Sequence, residues 1–293
     1  MPVTNENEYS TLQVAMCQVY TEEWAVEDNL RRTLESLREA KRQGADLAIT
    51  PECVLHAYGD AEPGTLQQRI DEIAEPLDGP NMRQLRDCAK ELSLDVIVGF
   101  VEKADDGKVY NAAAFLSREG EVLNVYRKVH CRPFESAQHD GVFTPGDGFH
   151  VAPRSYGDRN FGIGTFICFD REIAESARCL RSLGAELIAC PLATNTYDMS
   201  NPENRADNEM ITRCRAAENE VFIVVVNHAG RFNGGSFAVG PRGELYAQLG
   251  AEAEVRVLEL PVGIVTPKFH NEPLGQLGWG FRRPEVYDRY LNR

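Results

Sequence analysis

The spacing of hydrophobic positions changes character several times along the chain, and each change marks a predicted element. Leu12–Val19 (LQVAMCQV) alternates and then turns apolar, the pattern of a strand with at least one buried face. Over 25–43, Leu30, Leu34, Leu37 and Ala40 recur at helical spacing with charges between them, and Gly44 supplies a stop. Asp46–Thr50 (DLAIT) is a short buried strand that runs into Pro51. Strand, helix and strand in about fifty residues predict a parallel pair joined by a crossover helix.

A loop-rich stretch with Gly59, Pro63 and Gly64 follows, then a helical segment near 80–92. Leu94–Val101, Val109–Leu116 and Val122–Tyr126 read as strands separated by the turn sequences DDG and REG. Residues 128–150 show no period and carry Pro133, Gly141, Pro145, Gly146 and Gly148; so long a connection inside a compact domain points to function. The second half repeats the opening: a strand over Asn160–Cys168, a helix over 170–183 ended by Gly184, and a strand over Glu186–Cys190. Asn201-Pro202 forms an N-cap and first-turn pair for a helix reaching about residue 219. Val221–Asn227 is a β-branched strand, and Gly235–Gly240, Glu244–Ala247 and Ala253–Leu260 read as closing hairpins. Strands and helices interleave throughout, which predicts one α/β domain over 1–293, with a polar extension at 1–10 and a tail from about 265 that suits subunit contacts.

Composition narrows the function classes. The 293 residues are 43% hydrophobic and 26% charged, with a net charge of −14. That excess of carboxylates repels phosphate backbones and anionic lipid, so neither nucleic acid nor membrane is an expected partner. The apolar run Val221–Val226 is far too short to span a bilayer, and the polar, acidic start of the chain does not resemble an export signal, which together predict a cytoplasmic protein. Eight cysteines without a C-x-x-C pair then read as mostly free thiols in a reducing compartment, and no metal or other cofactor is expected.

Candidate chemistry lies where predicted strands reach their carboxyl ends. Strand 46–50 runs into Glu52, strand 122–126 into Lys128, and strand 160–167 into Cys168. A carboxylate partly out of water is a candidate base, and a lysine can hold charge on a reacting oxygen. Cys168 occupies a strand-to-helix junction, where a helix N-terminus is expected to lower a thiol pKa. Taken singly, each has an ordinary alternative: a loop carboxylate, a solvated lysine, a buried structural cysteine.

Glu52, Lys128 and Cys168 in that order, within TPECVL, YRKVH and ICFDREIAESAR, resemble the nitrilase or carbon–nitrogen hydrolase superfamily. VFTPGD at 142–147, GAELIACP at 184–191, RCRAAENEVFIVVVN at 213–227, GGSFAVGPRGEL at 234–245 and RRPEVY at 282–287 extend the resemblance over about residues 11–287. It implies a four-layer α-β-β-α sandwich and a homodimer or larger homo-oligomer. It also implies Cys168 as nucleophile, Glu52 as base, Lys128 as the cation beside the tetrahedral intermediate, and the Phe169 backbone N–H as an oxyanion donor. The second glutamate of the family matches Glu135, seven residues after Lys128, with an insertion between Glu135 and Phe143 that places His139 four before Phe143. Asn195 and Tyr58 are expected to contact substrate. The implied reaction is hydrolysis of a small amide or N-carbamoyl compound through a thioester; hydrolysis of a nitrile, and a catalytically idle member kept for binding or assembly, are the alternatives.

Overall fold

The computed structural model describes residues 10–58, 64–139, 141–194, 202–265, 279 and 282–291. The elements in order are β1 (Leu12–Gln18), β2 (Tyr20–Thr21), α1 (Val26–Arg42), β3 (Leu47–Ile49), α2 (Leu66–Ile73), α3 (Pro80–Leu92), β4 (Asp95–Lys103), β5 (Val109–Leu116) and β6 (Val122–Arg127). They continue with β7 (Val151–Tyr156), β8 (Arg159–Thr165), a 3₁₀ turn at Cys168–Glu172, α4 (Ala174–Ser182), β9 (Leu187–Pro191), α5 (Pro202–Asn219) and β10 (Phe222–Val226). The last are β11 (Ala229–Gly230), β12 (Phe237–Val239), β13 (Leu245–Gln248), β14 (Glu254–Leu260), a second 3₁₀ turn at Val262–Val265 and α6 (Pro284–Leu291).

Two six-stranded sheets, ordered β14-β1-β3-β4-β5-β6 and β13-β12-β10-β9-β8-β7, form the centre of an α-β-β-α sandwich. In each, three parallel strands (β1-β3-β4 and β8-β9-β10) are extended by antiparallel neighbours. The period-2 pattern assigns the faces. On β1, Leu12, Val14 and Met16 pack in the core between the sheets, whereas Ala15 and Cys17 pack with Leu30, Leu37 and Ala40 of α1. On β4, Ile97 faces the inter-sheet core and Val96, Val98 and Phe100 face the helices. Helix α1 turns its buried stripe of Asn29, Leu30, Thr33, Ser36, Leu37 and Ala40 to the sheet, and its Glu27, Asp28 start and Lys41, Arg42 end suit the helix dipole.

Three sequence expectations change. Ala253–Leu260 closes no hairpin: β14 crosses to the first sheet and pairs antiparallel with β1, Leu12 opposite Leu260. Its exposed-face charges gave it the look of a peripheral strand. The helix expected over 170–183 is divided, because Cys168–Glu172 is 3₁₀ and α4 begins only at Ala174. The expected tail includes one helix, α6, whose described side chains are mostly exposed. Strand β7 and helix α2 were not anticipated; β7 carries Pro153 and Arg154, and α2 is a polar, largely exposed helix with only Ile70 buried.

Candidate active site

Glu52, Lys128 and Cys168 come from both sheets and line one cavity of about 750 Å³, together with Glu135 and Tyr58. Glu52 follows β3 on a run of turns in which Cys53, Ala57 and Tyr58 hold positive φ of 48°, 54° and 49°. Such values are costly outside glycine and persist only where packing enforces them. Here the enforcement is close: a Cβ on Gly99 of β4 would collide with the Pro51 carbonyl and lie 2.8 Å from the Cys53 nitrogen. The Val54 N–H donates to the Gly99 carbonyl at 3.1 Å.

Lys128 is 1% exposed and donates to Glu52 Oε1 at 2.8 Å and to Glu135 Oε1 at 2.7 Å. Burial opposes its charge, but the two carboxylates and the adjacent thiol carry its pKa well above the ordinary lysine value. Burial pushes the Glu135 carboxyl up, and the stronger combined pull of Lys128, Tyr58 and the Arg132 N–H holds it below the usual range. Tyr58 O–H lies 2.8 Å from Glu52 Oε1 and 2.6 Å from Glu135 Oε1; burial and those two charges keep it protonated. Asn111 of β5 donates from Nδ2 to Glu52 Oε1 at 2.7 Å and to the Tyr58 oxygen, while its Oδ1 faces the Cys53 thiol at 3.4 Å. Glu52 Oε1 therefore receives Lys128 and Asn111 and shares the single Tyr58 proton with Glu135, and the buried Oε2 has no partner.

The backbone of Glu52 is gripped from the other sheet. Its N–H donates to Leu192 O at 3.4 Å, and His228 Nε2 lies 2.7 Å from its carbonyl. A carbonyl accepts only, so Nε2 carries the proton and Nδ1 accepts from Thr21 Oγ1 at 2.7 Å. Burial lowers the His228 pKa to about 4, which keeps the ring neutral. Pairing of β2 with β11 brings Thr21 to His228.

Cys168 follows β8 with φ of 47°, half-buried at the start of the 3₁₀ turn. Asp170 fixes that turn and the Lys128 segment together. Its Oδ2 accepts from Tyr126 O–H at 2.7 Å and Ile167 N–H at 3.1 Å, and its Oδ1 accepts from His130 N–H at 2.8 Å, with His130 Nδ1 also 2.8 Å away. The expected lowering of the thiol pKa is not found: burial, then the charge of Glu52, raise it far above the ordinary cysteine value, against the pull of Lys128. With α4 starting six residues later, no long helix dipole is aimed at the sulfur.

Glu135 reaches the site despite the insertion, because the extra residues fold back. Phe143 N–H donates to Glu135 O and Ala137 N–H to Phe143 O, both at 2.8 Å, closing the excursion, and His139 stands exposed on it away from the cavity lining. Phe169 lies under the Arg132 guanidinium, 4.7 Å from the ring centroid. Asn195 falls outside the described residues; its neighbour Thr194 lines the cavity. Sequence reasoning did not single out Asn111, Asp170 or His228. Asn111 sits inside a strand read only for its apolar pattern, and Asp170 inside an expected helix. Among the described residues no cluster of three or more His, Cys, Asp or Glu could hold a metal ion, and no helix is long and apolar enough to cross a membrane.

The family model for carbon–nitrogen hydrolases matches residues 13–267. The chain belongs to the carbon–nitrogen hydrolase family. Relatives of this hydrolase include the human omega-amidase (Homo sapiens), 30% identical over 78% of this chain and 81% of that one, and an (R)-stereoselective amidase from Pseudomonas sp., 32% identical over 79% and 78%. Its fold is similar to that of an amidase from Nesterenkonia sp., with a TM-score of 0.74 and 23% identity, covering 96% of both chains.

Proposed function

We propose that this hydrolase is a cysteine-dependent amidase, cleaving a small amide to an acid and ammonia or amine. The observation that carries the reading is the division of labour on Glu52. One oxygen is held by Lys128 and Asn111, with the Tyr58 hydroxyl shared between it and Glu135, so the carboxylate is fixed in place, and the other is buried without a partner. A buried carboxylate oxygen that no donor occupies is free to accept a proton.

The electrostatics require such an acceptor. Lys128, Glu52 and Glu135 together carry one net negative charge, and a free thiolate would add a second in a buried site. Transfer of the Cys168 proton to Glu52 Oε2 during attack leaves the total unchanged. The sulfur bonds to the amide carbon, and the carbonyl π electrons move onto oxygen. Lys128 has three N–H groups and gives two to Glu52 and Glu135, leaving one for that oxyanion alongside the Phe169 backbone N–H. Each such donor contributes on the order of 3 kcal/mol to the barrier. Protonated Glu52 then delivers its proton to the departing nitrogen as the C–N bond breaks, giving the thioester. Water, deprotonated by Glu52, attacks the thioester carbon; the C–S bond breaks, Glu52 returns the proton to the sulfur, and the acid is released. Glu135 acts through Lys128, holding the ammonium against the loss of solvent. Assembly into a homodimer or larger oligomer belongs to the same reading, with the C-terminal segment from about 265 as a contact region; light scattering that finds only single chains would remove it.

The decisive assay is ammonia release from aliphatic amides, ω-amides, N-carbamoyl amino acids and nitriles, with Cys168→Ala alongside. Release from amides that vanishes in the folded variant is expected. Release from nitriles alone, or equal release by the variant, would overturn the proposal.

A further inference from the structure

A chain of buried hydrogen bonds runs from Glu52 back to a thiol that takes no part in the reaction. Asn111, in β5, is 1% exposed, and its carboxamide has two N–H groups and one carbonyl to satisfy. Nδ2 donates to Glu52 Oε1 at 2.7 Å and to the Tyr58 oxygen, which uses both N–H groups. Oδ1 faces the Cys53 thiol at 3.4 Å. Burial, and after it the charge of Glu52, raise the Cys53 pKa well above the ordinary cysteine value, so the thiol keeps its proton and donates. Its other acceptor, the Phe100 carbonyl, is farther away at 4.0 Å.

These contacts decide which way round the amide lies. Turned over, Oδ1 would take the place of Nδ2, 2.7 Å from Glu52 Oε1, acceptor against acceptor, and Nδ2 would face a sulfur, which accepts weakly. A buried polar atom without a partner carries its full desolvation cost, so the observed orientation is the one that satisfies the group. The same residue also reaches Lys128, whose N–H donates to the Asn111 backbone carbonyl at 2.9 Å. The last torsion of a glutamate is soft and roughly two-fold. A single donor on Oε1 would leave the carboxylate free to turn about that contact. Lys128, just beyond β6, and Asn111, in β5, instead hold the one oxygen from two strands, which sets the direction of the unpartnered Oε2.

We infer that Asn111 is a positioning residue for the Glu52 carboxylate, and that the Cys53 thiol acts through it by holding its amide the right way round. The consequence for rate rests on the amidase reading; the carboxylate geometry does not depend on it.

Amide turnover and crystal structures of variants test the assignment. Asn111→Leu keeps the side-chain size and removes the donor. Its kcat should fall about 10- to 100-fold, the cost of a slightly misplaced catalytic group, with KM changed by less than about threefold. The acid limb of kcat/KM should move up by about one pH unit, because the lost N–H no longer favours the ionised carboxylate. Lys128, Tyr58, Glu135 and the thiols of Cys53 and Cys168, which share this cluster, are all kept in the variant, so the shift belongs to the missing donor. A general loosening of the fold would lower activity without moving the limb. Cys53→Ala leaves Oδ1 bare and should lower kcat by about fivefold or more with a limb shift of the same sign, and Cys53→Ser, which restores a donor, should recover most of that loss. Crystal structures of Asn111→Leu and Cys53→Ala should show the Glu52 carboxylate turned about its last torsion. An Asn111→Leu protein with kcat within twofold and an unmoved limb overturns the positioning role, and equal behaviour of Cys53→Ala and Cys53→Ser overturns the part given to the thiol. A turned carboxylate in the variants, with no ammonia release from any amide by the unmodified protein, leaves the positioning role standing and removes the amidase reading instead.

Discussion

Replacing Glu52 by Gln separates the two jobs assigned to its oxygens. The amide oxygen of Gln can take the Lys128 and Asn111 donors now on Oε1, at 2.8 Å and 2.7 Å, and the Tyr58 hydroxyl can give its proton to Glu135, so the local geometry survives. The amide nitrogen then occupies the place of Oε2 and cannot accept a proton. Loss of a general base costs about 10²–10⁴ in rate, and amide turnover should fall by that factor or more. The thiol should respond in the opposite sense. Glu52 is, after burial, the main cause of the raised Cys168 pKa. For scale, a unit charge taken at about 5 Å with an effective dielectric near 20 is worth about 3 kcal/mol, or roughly two pH units. Glu52→Gln should therefore raise the thiolate fraction near pH 8 and speed alkylation by iodoacetamide at least about tenfold, while hydrolysis is lost. Alkylation followed by mass spectrometry and ammonia release followed on the same preparation give both numbers. Parallel loss of the two would mean that the variant has lost the site's structure; hydrolysis within tenfold of the unmodified protein would remove Glu52 as base.

Acid should destabilise the fold through its buried histidines. His228 and His56 have pKa values pushed down by burial, to about 4 and about 3, from an unfolded value near 6.5. The unfolded chain then binds more protons than the native one below pH 6.5, and each ring costs stability at about 1.4 kcal/mol per pH unit down to its folded pKa. Urea midpoints measured between pH 7 and 4.5 should fall, and His228→Gln should flatten the slope; a flat profile for the unmodified protein would contradict the assigned burial. Thr21→Val frees His228 to protonate on Nδ1 and should lower kcat more than KM, since Glu52 loses a backbone tether; an unchanged kcat would make the tether irrelevant to rate. Gly99→Ala forces a Cβ against the Pro51 carbonyl and should cost at least 1–3 kcal/mol in chemical denaturation. Asp170→Asn turns one of two acceptor oxygens into a donor facing donors, and the same denaturation series should register a loss of about 3 kcal/mol or more.

The repeated strand–helix–strand pattern was legible because β-branched and apolar runs alternate with one clear amphipathic period, as at Leu12–Val19 and Leu30–Ala40. The three residues at strand ends were legible because strand ends are where open α/β sheets expose side chains. What could not be read is what depends on distant partners. The pairing of β14 with β1 joins residues more than two hundred positions apart, and no local signal distinguishes it from a hairpin. The expected direction of the thiol pKa was reversed because the sequence suggested a helix end, while its causes are burial and a carboxylate from the opposite sheet. Arg171 falls within the helix expected over 170–183, and its burial follows only from the packing around the 3₁₀ turn.

The grip of His228 on the Glu52 carbonyl joins residues 176 apart in the chain, and Lys128 meets Glu52 across 76. Such contacts form late in folding, after the entropy of closing long loops has been overcome. On refolding from urea, far-ultraviolet ellipticity should therefore recover before catalysis, and near the unfolding midpoint activity should vanish first. Catalytic turnover would act as a gauge of how well the two sheets are seated, reporting a loosening of their interface that leaves every helix and strand intact.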